Sequence, residues 1–444
     1  MKLPEQFLNE RKDLIPDFDE FLNSYTQLPV KSFFINENKI SCKAFLDNVD
    51  WEIQKYANGY LCLQDIKVGK TLEHHTGMIY MQELSAMMPV SFLPLKKGDW
   101  VLDLCASPGG KSIQVANKIT DGILISNEIV KSRANILKSN IERMGLKNVI
   151  ITNNEPKQLE EMFGGIFDAV IVDAPCSGEG MFRKDENARV NWSKENVQAC
   201  SIRQSAILET ANKMLKQNGY LLYSTCTFSL EENEKVVADF CHKHNFKIVP
   251  IEFECAINGK KIGEFATNNT LRFYPHKFKG EGQYVALLQK QEASTSFIKE
   301  KTYFKPLEKF PSECKIFKMF LKQNLMEFED ILSNAICNNN TIYYCANKKF
   351  CQSGLNLINC GVVIGEIIKQ RFEPNHNFVT CFGKRFVNQL NLSTEEGERY
   401  LRGETITSNL EGYVVVKYND VVIGLTKGSG GVLKNHYPKG LRNL

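Results

Sequence analysis

The sequence predicts an α/β protein built on a parallel, doubly wound sheet. Three observations lead there. Apolar, strand-like runs recur at residues 100–105, 122–127, 149–152, 167–173 and 220–224, each bounded by turn residues. Helical patterns lie between them. The first run opens into a Gly-rich turn and a helix start over residues 101–112.

Taken in chain order, residues 1–75 read as a small mixed unit. It has short helices at 4–9 and 17–25, an apolar run at 31–36 and strand-like alternation over 56–65. Met78, Tyr80, Met81 and Met87 read as core packing, and His74-His75 as structural or RNA-facing. Residues 76–291 form the α/β unit. Ala134, Leu137, Ile141 and Met144 recur at helical spacing with Gly145 as a stop, and Ile207, Ala211 and Met214 repeat the pattern. Ser229 and Glu232 read as a capping box before Val236, Val237 and Phe240. Residues 292–296 read as a linker. Residues 297–390 are Cys/Asn-rich and irregular, with one helix expected at 316–328. A last unit, 391–444, carries strands at 412–418 and 421–425 joined at Asn419-Asp420.

Bulk properties exclude several classes. At roughly 150 residues per domain, 444 residues suggest about three domains. A net charge of +4 is too small to prove a nucleic-acid partner, so any basic surface is local. No run of about 18 apolar residues is present to span a bilayer. The opening residues carry charges and Pro4 rather than a secretory core. Fourteen cysteines include no C-x-x-C pair, which argues against a zinc ribbon and any metal. The expectation is a soluble, cytoplasmic protein with reduced thiols.

The turn Cys105-Ala106-Ser107-Pro108-Gly109-Gly110-Lys111 is neither a dinucleotide fingerprint nor a P-loop. It aims helix N–H groups at a ligand beyond the first strand. Glu128 ends the next strand at about the 20-residue offset where an acid accepts ribose hydroxyls. Together these fit an adenosine-containing ligand without a long phosphate chain.

Asp173-Ala-Pro-Cys176 and Ser224-Thr-Cys226 follow two further strands, so both cysteines face the same cleft. Two structural thiols or a redox pair are alternative readings. A third is nucleophilic catalysis. A thiolate added to carbon 6 of cytosine makes carbon 5 nucleophilic toward a sulfonium methyl group. Asp173 then stabilises charge at the base edge. Chemistry alone does not rank the two thiols.

The motifs at 105–111, 173–180, 223–227 and Glu231-Glu232-Asn233 resemble the Nop/Sun family of RNA cytosine-5 methyltransferases. Residues 272–277 and 280–282 continue the match, and residues 433–442 resemble the end of the RsmF-type ribosomal RNA subgroup. The resemblance implies a class I (Rossmann-like) methyltransferase domain at 76–291. It adds a small N-terminal RNA-binding domain, an RsmF-type middle domain at 297–390 and a C-terminal PUA-like β-barrel at 391–444. It implies Cys226 as nucleophile, Cys176 for product release and Asp173 as the loop acid. S-adenosylmethionine would be held by residues 105–111, Glu128, Arg133, Glu155 and Asp173. Ser107 stands where the family usually has Ala. The implied partner is RNA, namely 16S rRNA or the small ribosomal subunit, handled by a monomer with no membrane contact. A transfer-RNA enzyme would share every catalytic residue. A noncatalytic assembly factor would not need these thiols. Expected RNA contacts are Arg272, His276, Lys277 and Lys279 beside the site. In the tail they are Lys427, Lys434, His436, Tyr437, Lys439 and Arg442.

Overall fold

The computed structural model describes residues 3–299, 305–347, 350 and 354–442. Helices α1 (Glu5–Arg11) and α2 (Phe18–Ser24) precede a four-stranded antiparallel sheet. Its strands β1 (Lys31–Ile35), β2 (Ile53–Tyr56), β3 (Gly59–Cys62) and β4 (Ile79–Met81) lie in the order β2-β3-β1-β4. The alternation at 56–65 is thus the turn and second arm of a hairpin, not one strand. Ala57 supplies the positive φ of 47° at the turn. That is a residue the usual Asn-Gly signal does not flag.

The central sheet has ten strands. Five run parallel: β5 (Trp100–Asp103), β6 (Ile123–Asn127), β7 (Val149–Thr152), β8 (Phe167–Asp173) and β9 (Leu215–Thr225). Between them run α3 (Gly110–Lys118), α4 (Lys131–Met144), α5 (Pro156–Met162) and α6 (Lys194–Met214), and α7 (Glu234–Lys243) follows β9. Past β9, the short strands β10 (Phe246–Val249) and β11 (Leu271–Phe273) both pair with β12 (Gln283–Lys290). That strand closes antiparallel on β9. The order β9-β8-β5-β6-β7 reverses direction between β5 and β8. A crevice opens at such a reversal, beyond the carboxyl ends of the strands.

Alternate strand residues bury on opposite faces. Leu102, Ile125, Ile150 and Val170 join one core, and Val101, Leu124, Val149 and Ile171 the other. Both faces are covered, so the strands read as continuous apolar runs. Each such side chain contributes about 1.5–3 kcal/mol. Helix α4 buries Ala134, Leu137, Ile141 and Met144 and stops at Gly145, where φ is 71°, as its spacing predicts.

Other expectations need correction. Ser229 and Glu232 do not cap a helix: α7 begins after Asn233, and the Glu232 side chain turns inward. The middle segment is regular over its described residues. Strands Ala335–Asn338, Thr341–Tyr344, Val362–Ile368 and Arg371–Pro374 form most of a five-stranded sheet. Their short lengths and the Asn-rich turn at Asn339 hide the alternation. Its helix spans Pro311–Asn324, started by the proline at its first turn. Strand Leu357–Cys360 extends the central sheet along β7. Among the described residues twelve cysteines are free, whereas Cys360 is disulfide-bonded, against the expectation of reduced thiols throughout. Cys351 lies outside the described residues.

The last sheet carries Gly412–Tyr418 and Val421–Ser429, joined at Asn419-Asp420 with both φ positive. It packs on the N-terminal sheet: Val414, Val416 and Tyr400 share a core with Phe33 and Phe45. Tyr437 is buried there against Tyr400 and His376, so it is packing and not an RNA contact. Met78, Tyr80 and Met87 are core, whereas Met81 is more than a third exposed. Burial, with Arg143 beside it, pushes His74 down to about 3, which keeps the ring neutral. Among the described residues no helix is long and apolar enough to cross a membrane.

Candidate active site

At the end of β5 the chain must turn sharply into α3. Gly109 takes φ of 116°, and a Cβ there would sit 3.0 Å from Leu137 Cδ1. Glycine meets both demands. Asp103, fully buried, accepts from Ser112 Oγ at 2.7 Å, and Ser112 Oγ lies 2.9 Å from Ser126 Oγ. These bonds tie strand end, helix start and β6 together. Burial pushes the Asp103 carboxyl up to about 7. The turn is also held from α4. Ser107 Oγ donates to the Arg133 carbonyl at 2.9 Å, and Arg133 Nη2 donates to the Ser107 carbonyl at 2.9 Å. Arg133 Nη1 lies 3.4 Å from Glu128 Oε2, and Glu128 Oε1 accepts the Val130 N–H at 2.9 Å.

Across the crevice, the loops after β8 and β9 bring Cys176 Sγ to 3.2 Å from Cys226 Sγ. The bond to Cys226 and then burial hold the Cys176 thiol well above its ordinary range. Cys176 therefore keeps its proton, and either sulfur can be the donor between the two. Asp173 faces both ends of the crevice. Its Oδ2 lies 2.8 Å from Lys111 Nζ, and its Oδ1 accepts from Ser224 Oγ at 2.7 Å and Gln283 Nε2 at 3.2 Å.

Three buried carboxylates position the thiol loops. Glu232 accepts from Ser177 N–H at 2.8 Å, from the Ser177 hydroxyl, and from Gln204 Nε2 at 3.0 Å. Glu179 accepts from Arg11 Nη2 at 2.9 Å, Trp192 Nε1 at 2.9 Å and Phe228 N–H at 3.0 Å. Glu234 pairs with Arg272, whose Nη1 donates to the Phe228 carbonyl at 2.8 Å. Phe228, two residues past Cys226, is thus gripped on both backbone groups. Gly180 N–H donates to the Cys226 carbonyl at 2.8 Å. A Cβ at Gly180 would come within 2.9 Å of the Gly282 carbonyl and 3.1 Å of the Cys226 carbonyl.

A cavity of about 590 Å³ joins the two ends, within the range of small-molecule sites. Cys105, Ser107, Glu128, Arg133, Glu155, Asp173, Cys176 and Cys226 line it together. Ala106, Pro108, Gly109 and Gly110 shape the turn behind that lining, and Lys111 reaches it through Asp173. Glu155 sits exposed just before α5. Arg272 is 2% exposed and committed to Glu234, so it is not an RNA contact. Lys277 and Lys279 are exposed, with Lys277 2.7 Å from Asp17. His276 is partly buried beside Phe21. Of the tail, Lys427, Lys434, His436 and Lys439 are exposed. Sequence reasoning missed Arg203 and Ile207 in the lining and the roles of Glu179, Glu232 and Gln283. Glu179 and Glu232 lay inside the quoted motifs, but nothing in a motif says which way a side chain turns.

A doubly wound sheet closed by an antiparallel β12, with its ligand crevice at the Gly-rich first turn, is the class I methyltransferase fold. Residues 90–289 match the model of the family described as 16S rRNA methyltransferase RsmB/F. Residues 3–84 match the N-terminal domain of 16S rRNA methyltransferase RsmF, and 387–443 the methyltransferase RsmF PUA domain. Ribosomal RNA small subunit methyltransferase F of Vibrio vulnificus (strain YJ016) is 32% identical over 472 residues, covering 99% of this chain and 97% of its own. Its namesake in Vibrio cholerae (strain M66-2) is 30% identical, covering 99% and 98%. A methyltransferase homologue from Pyrococcus horikoshii, 24% identical, matches 65% of this chain and 100% of its own with a TM-score of 0.54. NSun6 from the same organism, solved with SFG, is 20% identical over 65% and 98% with a TM-score of 0.55. The chain belongs to the RsmB/F family of 16S rRNA methyltransferases, whose members depend on S-adenosylmethionine.

Proposed function

We propose that this protein methylates carbon 5 of a cytosine in 16S ribosomal RNA, with Cys226 as the covalent nucleophile. The observation that carries the proposal is the pair of thiols 3.2 Å apart in one cavity with Asp173 and the Gly-rich turn. S-adenosylmethionine supplies the methyl group on a sulfonium centre. The residues present fit it: Glu128 and Glu155 offer acceptors for its hydroxyl and amino groups, and the carboxylates favour its positive charge.

Cys226 adds through sulfur to carbon 6 of the base. Asp173, held by Lys111, Ser224 and Gln283, hydrogen-bonds the base edge as charge builds near ring nitrogen 3. Carbon 5 then takes the methyl group and gives its proton to water in the open cavity, and the electron pair left behind re-forms the 5,6 double bond. The carbon 6–sulfur bond breaks, returning the Cys226 thiolate and the aromatic ring. Cys176, a thiol 3.2 Å from Cys226, supports this last step by hydrogen-bonding the departing thiolate. The exposed basic residues of the C-terminal sheet hold the RNA backbone, in a cytoplasmic monomer.

The test is substitution with bisulfite mapping of small-subunit RNA. Cys226→Ala is expected to abolish 5-methylcytosine formation. Cys176→Ala is expected to accumulate a denaturation-resistant RNA adduct on gels. Methylation that persists in Cys226→Ala would defeat the mechanism, and methylation confined to transfer RNA would defeat the substrate.

A further inference from the structure

Two arginines line the cavity, and they differ in what they do. Arg133 is engaged by Glu128 and Ser107. Arg203, on α6, is exposed and makes no hydrogen bond or ion pair among the described residues. It shares the cavity lining with Pro175, Cys176 and Cys226, and the residue after it bonds Pro175. Its placement is not loose. The next residue, Gln204, is fully buried and donates to the Pro175 carbonyl at 3.1 Å and to Glu232 at 3.0 Å. These bonds lock the register of α6 against the Cys176 loop. Ile207, one turn on, also lines the cavity, so residues 203 and 207 share the face turned to it.

The cavity wall carries three carboxylates, Glu128, Glu155 and Asp173, which suit a donor that brings a cation. A free guanidinium near the thiols opposes that cation, so the donor is not its natural partner. A nucleotide delivered to the thiols carries one phosphodiester charge, and guanidinium is the side chain suited to grip it. A base that reacts must also leave its stack, which places its own backbone at the rim of the pocket.

Resting on the activity proposed above, we propose that Arg203 forms a phosphodiester subsite for the RNA strand that presents the target cytosine. The subsite fixes the strand while the base enters between Asp173 and the thiols. It acts on RNA binding and leaves donor binding alone.

The experiment compares wild type, Arg203→Gln and Arg203→Lys. RNA affinity is read by anisotropy of labelled, in vitro transcribed small-subunit RNA with S-adenosylhomocysteine present, over a salt series. Arg203→Gln is expected to bind RNA about tenfold more weakly at low salt. Its plot of log affinity against log salt should be shallower by about 0.7, the slope of one phosphate contact on a single strand. Arg203→Lys should recover most of that slope. S-adenosylmethionine affinity, by calorimetry, should match wild type. Equal RNA affinities and slopes for Arg203→Gln and wild type overturn the subsite. A matching loss of S-adenosylmethionine affinity also overturns it, by moving Arg203 to the donor. The readout needs no methyl transfer. Failure of wild type to make 5-methylcytosine would therefore be seen separately, and would count against the activity rather than the subsite.

Discussion

The donor end and the thiol end of the cavity are built by different means. At the donor end the holding contacts belong to one strand–turn–helix unit and its neighbour: Asp103 with Ser112, Ser107 with Arg133, Glu128 with Val130. The Arg133 side chain is half exposed. At the thiol end, Cys176 and Cys226 stand 50 residues apart in sequence. Their loops are held by carboxylates that are fully buried, and Glu179 draws its cation from Arg11, 168 residues away. One end takes its precision from local chain geometry. The other takes it from buried charge, where removing a single partner leaves the other uncompensated.

The contrast breaks most readily at Arg11. Arg11→Ala leaves Glu179 charged and unpaired, at an expected cost of about 3–5 kcal/mol in urea unfolding. A loss under 1 kcal/mol would mean that Glu179 does not depend on α1. Glu232 comes next, through pH. Burial pushes its carboxyl up to about 7 from 4.5. The folded protein keeps a proton that the unfolded chain has released, so stability falls as pH rises from about 4.5 to about 7 and levels off above. The contribution is on the order of 3 kcal/mol, and Glu232→Gln should lack it. Identical pH slopes in the two proteins would count against this role. Gly180→Ala tests the spacing of the thiol loops. Overpacking there should cost about 1–3 kcal/mol. Diamide oxidation to a Cys176–Cys226 disulfide, followed by mass spectrometry, should slow; an unchanged rate would show that the loops tolerate the methyl group. The smallest effect belongs to the donor end. Arg133→Ala, at an exposed pair, should change stability by less than about 1 kcal/mol while weakening S-adenosylmethionine binding about tenfold. A larger stability loss than at Arg11 would invert the comparison.

The same contrast explains what the sequence made legible. Strands β5–β9, the Gly-rich turn and Glu128 are local patterns, and the structure brings the turn and Glu128 to one cavity at the strand ends. The two strand-end thiols followed from topology. Ser229-x-x-Glu232 shows where local reading fails. Half the pattern forms, with the Glu232 N–H donating to Ser229 Oγ at 3.3 Å, but the carboxylate is drawn to Ser177 and Gln204 by loops that sequence proximity does not reveal. Arg272 misled for the same reason. A cation in a Lys- and His-rich stretch reads as surface until Glu234 is seen beneath it. Tyr437 sits among exposed basic residues in sequence and among rings in space.

The pairing of Arg11 with Glu179 also bears on biosynthesis. Translation adds roughly 5–20 residues per second, so α1 is made roughly ten to thirty seconds before its acceptor. The amino-terminal helices carry Phe7 and Phe21, which finish inside the cluster formed with Phe182, Trp192 and Phe228. Through that interval they are nascent apolar surface awaiting a pocket. When the thiol loops emerge, these earlier-made helices are already available as the mould against which they set. A change in these helices would therefore disturb the placement of Cys176 and Cys226 without touching either thiol.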